Sequence, residues 1–207
     1  MSDAMKALQT RCGVTADGAF GPNTARAIAK HYDLTPNRAA HLLGQAHHES
    51  GGFKRTRESL YYSTPERICA VWPTRFKTPA DAEPYAKNPS KLAGKVYLRE
   101  ELGNLTEQDA IDHIGRGFIQ LTGKANYSAF AHDMRLPEVL TDPSLVETEY
   151  AFDSAFWFFQ SNGLFEKADA GVSDKVIRII TRKINGGTHG LDDRIQQTKK
   201  VHGWLTA

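Results

Sequence analysis

The sequence predicts a mainly α-helical protein with a small irregular or β portion, and three observations carry that reading. Apolar residues recur at three- and four-residue intervals through most of the chain, alternating runs are few and short, and hydroxyl-bearing residues stand where helices would begin. With 40% hydrophobic and 24% charged residues over 207 positions, the chain has the composition of a globular protein that buries about 70% of its surface. The longest stretch without Asp, Glu, Lys or Arg, from Ser154 to Phe165, is too short to span a bilayer, so no membrane insertion is expected. A net charge of +2 argues against a nucleic-acid partner. The opening residues MSDAMKALQTRC lack the apolar core of a signal peptide, which points to synthesis in a cytoplasm. Cys12 and Cys69 fit neither a CxxC pair nor a disulfide framework and are expected as free thiols.

In chain order, a first segment covers residues 1–34. It turns at Asp17-Gly18 and enters a helix through Ala25, Ile28 and Ala29. Thr35-Pro36, an N-cap hydroxyl followed by proline at the first helical position, opens a helix with Ala39, Leu42, Leu43 and Ala46 on one face, ending at Gly51-Gly52. Thr64-Pro65 opens a shorter helix that Pro73 stops, and residues 73–104 read as loops with short helical pieces. Thr106-Glu107-Gln108-Asp109 resembles a capping box. The run Gly115-Arg116-Gly117-Phe118-Ile119-Gln120-Leu121-Thr122-Gly123 suits a short strand or extended loop. Asp142-Pro143 is expected to start one long helix through Leu145, Phe152, Phe156 and Phe159 to Gly163. Ser173 starts another, ending at Gly186-Gly187, and the last carries Leu191, Ile195, Val201 and Leu205 on one face, more suited to a core than to a membrane surface.

Glu49 is the most informative position. Leu42 and Ala46 precede it by seven and three residues, so Glu49 is expected on the buried face of its helix. Burial and the negative end of the helix dipole both disfavour a charged carboxylate, the condition that a general acid needs near neutral pH. The adjacent His47 and His48 lack the four-residue spacing of a zinc helix, and neither a metal nor a cofactor is expected. Nine residues on, Glu58 is expected in a polar loop. Two carboxylates in unlike environments form the pattern of glycosidic bond cleavage, though the spacing alone is a weak signal among 24 acidic residues. Tyr61, Tyr62 and Trp72 are either sugar-stacking aromatics or ordinary core and rim residues.

Four ordered motifs sharpen this reading. His48-Glu49-Ser50-Gly51-Gly52, Gly115 to Thr122 followed by Asn126-Tyr127, Ile184-Asn185-Gly186-Gly187, and Asp193-Arg194-Ile195 together resemble family 19 glycoside hydrolases, the chitinase family that also includes bacteriophage endolysins. The resemblance implies a lysozyme-like, two-lobed α-helical domain with a central cleft, over residues 35–207. It implies Glu49 as general acid, Glu58 as general base and Thr122 as a hydroxyl helping to hold the attacking water. It implies Gln120, Asn126 and Asn185 as sugar-binding groups and Arg194 as a cleft arginine near the base. Asn185 as a helix cap and Arg194 as a partner of Glu58 are the structural alternatives. Tyr61 completes the candidate substrate contacts. Inversion of configuration is implied too, and an inverting pair needs about 6.5–9.5 Å between carboxyl groups.

The chain departs from the chitinase pattern at Phe118, where proline is common, and at Thr122, where serine is usual. Val14 to Thr24 resembles part of a peptidoglycan-binding motif, either as a remnant packed on the catalytic core or as an independent binder. The expectation is therefore a monomeric phage-type endolysin that cuts β-1,4 bonds in peptidoglycan glycan strands. It would accumulate in the host bacterial cytoplasm until a holin releases it to the wall. A chitinase of the same mechanism and a non-catalytic cell-wall binding protein are the rivals.

Overall fold

A computed structural model describes residues 2–207, and helices dominate it. The α-helices are α1 (Asp3–Arg11), α2 (Pro22–His31), α3 (Pro36–Glu49), α4 (Pro65–Val71), α5 (Pro79–Ala82), α6 (Pro89–Val96), α7 (Glu107–Asp112), α8 (Lys124–Asp133), α9 (Ala151–Ser161), α10 (Leu164–Ala168), α11 (Asp174–Asn185) and α12 (Leu191–Thr206). Short 3-10 turns lie at Glu83–Tyr85, Glu100–Leu102, Pro137–Leu140 and Pro143–Glu147. Side-chain hydroxyls cap the helices where the sequence placed them: Thr35 accepts from the Arg38 amide, Thr64 from that of Arg67 and Ser173 from that of Val176. Thr106 and Asp109 complete a capping box. Both cysteines are free.

The chain divides into two compact units. The first comprises Met1–Thr56, Gly117–Gln120 and Leu145–Ala207. Its centre is α3, where every residue from Ala39 to Ala46 is buried, as befits a helix covered on all sides. The crossing of α3 with α12 depends on Gly44, because a Cβ there would overlap the Thr198 side chain and backbone. Gly44→Ala is accordingly expected to destabilise the fold by about 1–3 kcal/mol. Gly203→Ala, in α12 where a Cβ would meet nothing, should be neutral or slightly stabilising. Urea midpoints of the two variants check this, and equal midpoints would refute the close-crossing argument.

The N-terminal helices belong to this core through Ala4, Met5, Leu8, Ala25 and Ile28, together with Phe152, Ala155 and Phe159 of α9. Asp153 accepts from Arg11 Nη2 at 2.6 Å and from the Tyr32 hydroxyl at 2.8 Å. Burial first, and Asp153 second, pushes the Tyr32 hydroxyl far above its ordinary range. The Val14 to Thr24 loop is organised by buried Gln9, whose Nε2 donates to Asp17 Oδ1 and to the Ala19 carbonyl while its Oε1 accepts from the Gly18 amide.

One element differs from expectation. The long helix read from Asp142-Pro143 is broken: residues 143–147 form a 3-10 turn, and α9 starts only at Ala151. Asp142 Oδ1 accepts from the backbone and hydroxyl of Ser144, and the Tyr150 amide returns to the Leu145 carbonyl. These local bonds tighten the first turns and re-aim the chain. Of the two readings of the 115–123 run, strand or loop, the structure shows the loop, held by bridges of Arg116 to Arg57 and to Leu121. Its tip, Gly117–Gln120, belongs to the first unit, where Phe118 is fully buried against Phe53.

The second unit comprises Arg57–Arg116 and Leu121–Ser144. Leu60, Ile68, Phe76, Leu92, Val96 and Ile114 form its core. Buried Arg116 donates to the Asp112 carbonyl and to Tyr127, whose hydroxyl in turn donates to the Ile114 carbonyl at 2.8 Å.

Candidate active site

Glu49 is the last residue of α3, and its exit is shaped by glycine. Gly51 and Gly52 have φ of +61° and +79° and return amide bonds to His48 and His47, a left-handed stretch that favours residues without a Cβ. Ser50 Oγ donates to the Ala46 carbonyl and accepts from the Phe53 amide, which fixes the turn. Leu42 and Ala46 are fully buried as expected, but the Glu49 side chain retains 23% exposure. It emerges from the buried face at the helix end, where Arg194 meets it.

Arg194 pairs with Glu49 within the first unit. It is 2% exposed, and it donates through Nη2 to Glu49 Oε1, through Nη1 to Gln45 Oε1 at 2.6 Å and through Nε to the His189 carbonyl at 3.0 Å. Gln45 Nε2 continues the chain of bonds to Thr181. Next to Arg194, Asp193 lies 2.6 Å from His48 Nδ1, and that contact holds the Asp193 carboxyl below its ordinary range. Two consecutive residues of α12 thus grip two consecutive residues of α3. Gly190 makes room, since a Cβ there would overlap the His48 ring.

Asn185 serves as a helix-end brace, one of its two sequence-level alternatives. Its Oδ1 accepts from the Gly187 amide, and its Nδ2 donates to the same His189 carbonyl that Arg194 uses. The Ile184 to Gly187 motif therefore builds the loop on which the Arg194–Glu49 pair rests. Gln120 adopts φ of +61° and its Nε2 donates to the Gly117 carbonyl.

In the second unit Glu58 is half-buried. Its Oε1 accepts from the Gly115 amide, its Oε2 from the Tyr97 hydroxyl at 2.7 Å, and its own amide donates to the Gly115 carbonyl. Burial foremost, then Glu58, drives the Tyr97 hydroxyl far above its ordinary range, so Tyr97 stays a donor. A carboxylate has about four acceptor positions, and two remain for other donors. A cavity of about 50 Å³, room for a few waters, is lined by Glu58, Arg57, Leu60, Ala93, Ile111 and Ile114 among others. Thr122 is half-buried, and its carbonyl accepts from Asn126 Nδ2. Tyr61 is 57% exposed, whereas Tyr62 packs edge-on against Trp72 at 5.3 Å beside the core.

The candidate residues thus fall in two groups, with Glu49, Gln120, Asn185 and Arg194 in the first unit and Glu58, Tyr61, Thr122 and Asn126 in the second. Sequence reasoning missed Gln45, His189, Asp193 and Tyr97. Asp193 alone had a signal, as the residue before Arg194 in a recognised motif.

No family model matches the chain. A glycosyl hydrolase family 19 domain-containing protein of Haemophilus influenzae is 35% identical over 161 residues, covering 75% of this chain and 74% of that protein. An endochitinase of Arabidopsis thaliana is 41% identical over 78 residues, 37% of this chain and 25% of the plant protein. An acidic endochitinase of Populus trichocarpa is 28% identical over 173 residues, 76% of this chain and 43% of its own. Among solved structures, chitinase C from Streptomyces griseus matches at 18% identity with a TM-score of 0.47, covering 99% of this chain and 68% of that one. On its extended identity with the Haemophilus protein, the chain belongs to glycosyl hydrolase family 19 and is a glycoside hydrolase.

Proposed function

We propose that this glycoside hydrolase cuts β-1,4 bonds between the amino sugars of peptidoglycan, as an endolysin of phage type. The observation that carries the choice of substrate is the N-terminal loop. The segment from Val14 to Thr24 resembles part of a peptidoglycan-binding motif and is kept as an ordered loop braced by Gln9. In this reading Glu49 protonates the leaving oxygen, while Glu58 takes a proton from a water that Thr122 helps to hold. The free acceptor positions of Glu58 suit that role, and its amide and tyrosine donors fix the carboxylate's orientation. Gln120, Asn126, Asn185 and Tyr61 contact the sugars. Retention in the host cytoplasm as a monomer and release by a holin complete the proposal.

A chitinase of the same mechanism is the second reading, favoured by the likeness to plant endochitinases. Digestion of purified sacculi beside colloidal chitin separates the two. Solubilised sacculi with chitin untouched are expected, and the reverse would establish the chitinase. Proton NMR of a fresh digest of soluble oligosaccharide should show the α-anomer first. An initial β-anomer would overturn Glu58 as base and leave Glu49 as acid intact.

A further inference from the structure

Helix α11 buries Ile177, Ile180 and Thr181 and packs Val176 and Ile184 on the core. Its opposite face exposes Lys175, Arg178, Ile179, Arg182 and Lys183. Four cations therefore lie within nine residues, about 12 Å of helix. Asp174, the acidic residue at the helix start, is taken by Lys199 of α12 at 2.6 Å. None of the four cations forms an ion pair among the described residues.

The helix dipole accounts for only part of this face. It favours Arg182 and Lys183 in the last turn but disfavours positive charge at Lys175 and Arg178 nearer the N-terminus. Mutual repulsion along one helix face is a further cost. At the centre sits Ile179, 44% exposed, an apolar spot ringed by cations. The stripe runs directly into Ile184-Asn185-Gly186-Gly187, the loop that supports Arg194 and Glu49.

We propose that this face of α11 docks the carboxylates of the peptide stems of peptidoglycan and so holds an anionic wall against the unit that carries Glu49. Guanidinium groups match carboxylates through paired hydrogen bonds, and Ile179 can cover a small apolar side chain of the stem. Chitin is uncharged and offers such a stripe no partner, so the same face discriminates between the two substrates. The proposal rests on the peptidoglycan reading above.

The test is sedimentation binding of the full chain, wild type and the double variant Arg178→Glu/Arg182→Glu, to purified sacculi and to chitin beads over a range of salt. Wild-type binding to sacculi should weaken steeply with salt. The variant should bind at least tenfold more weakly at low salt and lose most of that salt dependence. Its cleavage of soluble peptidoglycan glycan freed of its peptide stems should stay at the wild-type rate, and an unchanged melting temperature certifies its fold. Undiminished sacculus binding by the variant, an equal loss on chitin, or binding to anionic phospholipid vesicles but not to sacculi would each overturn the docking role. Whether wild type cuts sacculi is read separately. A protein that cuts them while the variant binds undiminished loses only the stripe, whereas one that leaves them intact loses the substrate reading.

Discussion

Glu49→Gln is expected to keep the fold and to lose glycan hydrolysis by about 10²–10⁴-fold, the range that general acid catalysis supplies. The substitution preserves shape, and the amide oxygen can still accept from Arg194 Nη2. Gln45 and the His189 carbonyl continue to hold the other guanidinium nitrogens. What disappears is the ion-pair partner of a guanidinium only 2% exposed, so stability should fall by about 3 kcal/mol, the low end of the cost of breaking a buried pair, because the amide oxygen still accepts. The proton donor is lost outright. Initial rates on a soluble oligosaccharide, taken beside a melting curve, separate the two effects. A well-folded variant with near-wild-type turnover would remove Glu49 from the chemistry.

Much of the helical framework was legible because its signals are local. Thr35-Pro36, Thr64-Pro65 and Ser173-Asp174 each combine a capping hydroxyl with a residue suited to the first helical turn, and each starts a helix where read. The apolar spacing of α12 was a partial guide: Val201 is buried and Leu205 packs on the core, but the other buried positions of the helix are Arg194 and Thr198. The break before α9 was not legible, because Leu145, Phe152, Phe156 and Phe159 keep an approximate helical spacing across it. Only the competing Asp142–Ser144 bonds and the Tyr150–Leu145 return decide against a continuous helix.

The site was legible in its motifs and illegible in its pairings. Family resemblance singled out Glu49 and Arg194, but they are 145 positions apart, and no periodicity reports which carboxylate a distant arginine will meet. Tyr97 shows the same limit. It lies in a stretch read as loops and short helical pieces, 39 positions from the Glu58 carboxylate to which it donates. The motif glycines were easier to interpret after the fact than before it: Gly190 is required by the His48 ring, a neighbour that the sequence does not announce.

Arg194→Met is expected to be the most destabilising single change near Glu49. The methionine fills much of the buried volume but donates nothing, so Gln45 Oε1, the His189 carbonyl and Glu49 all lose a donor at once. Removing one partner of a buried ion pair costs about 3–5 kcal/mol, because the group left behind keeps its desolvation penalty. For a chain of this size that lowers Tm by about 6–20 °C. Arg194→Lys should recover only part of the loss, since a single ammonium replaces a planar fork that here reaches three acceptors, two on α3 and one in the loop before α12. Thermal melts of the two variants beside wild type, with oligosaccharide cleavage measured well below the lowered Tm, check both halves of the argument. If Arg194→Met melts within about 1 kcal/mol of wild type, the guanidinium is not what holds the α3 terminus against α12. If it melts early yet cleaves at the full rate at low temperature, Arg194 braces the fold without orienting Glu49.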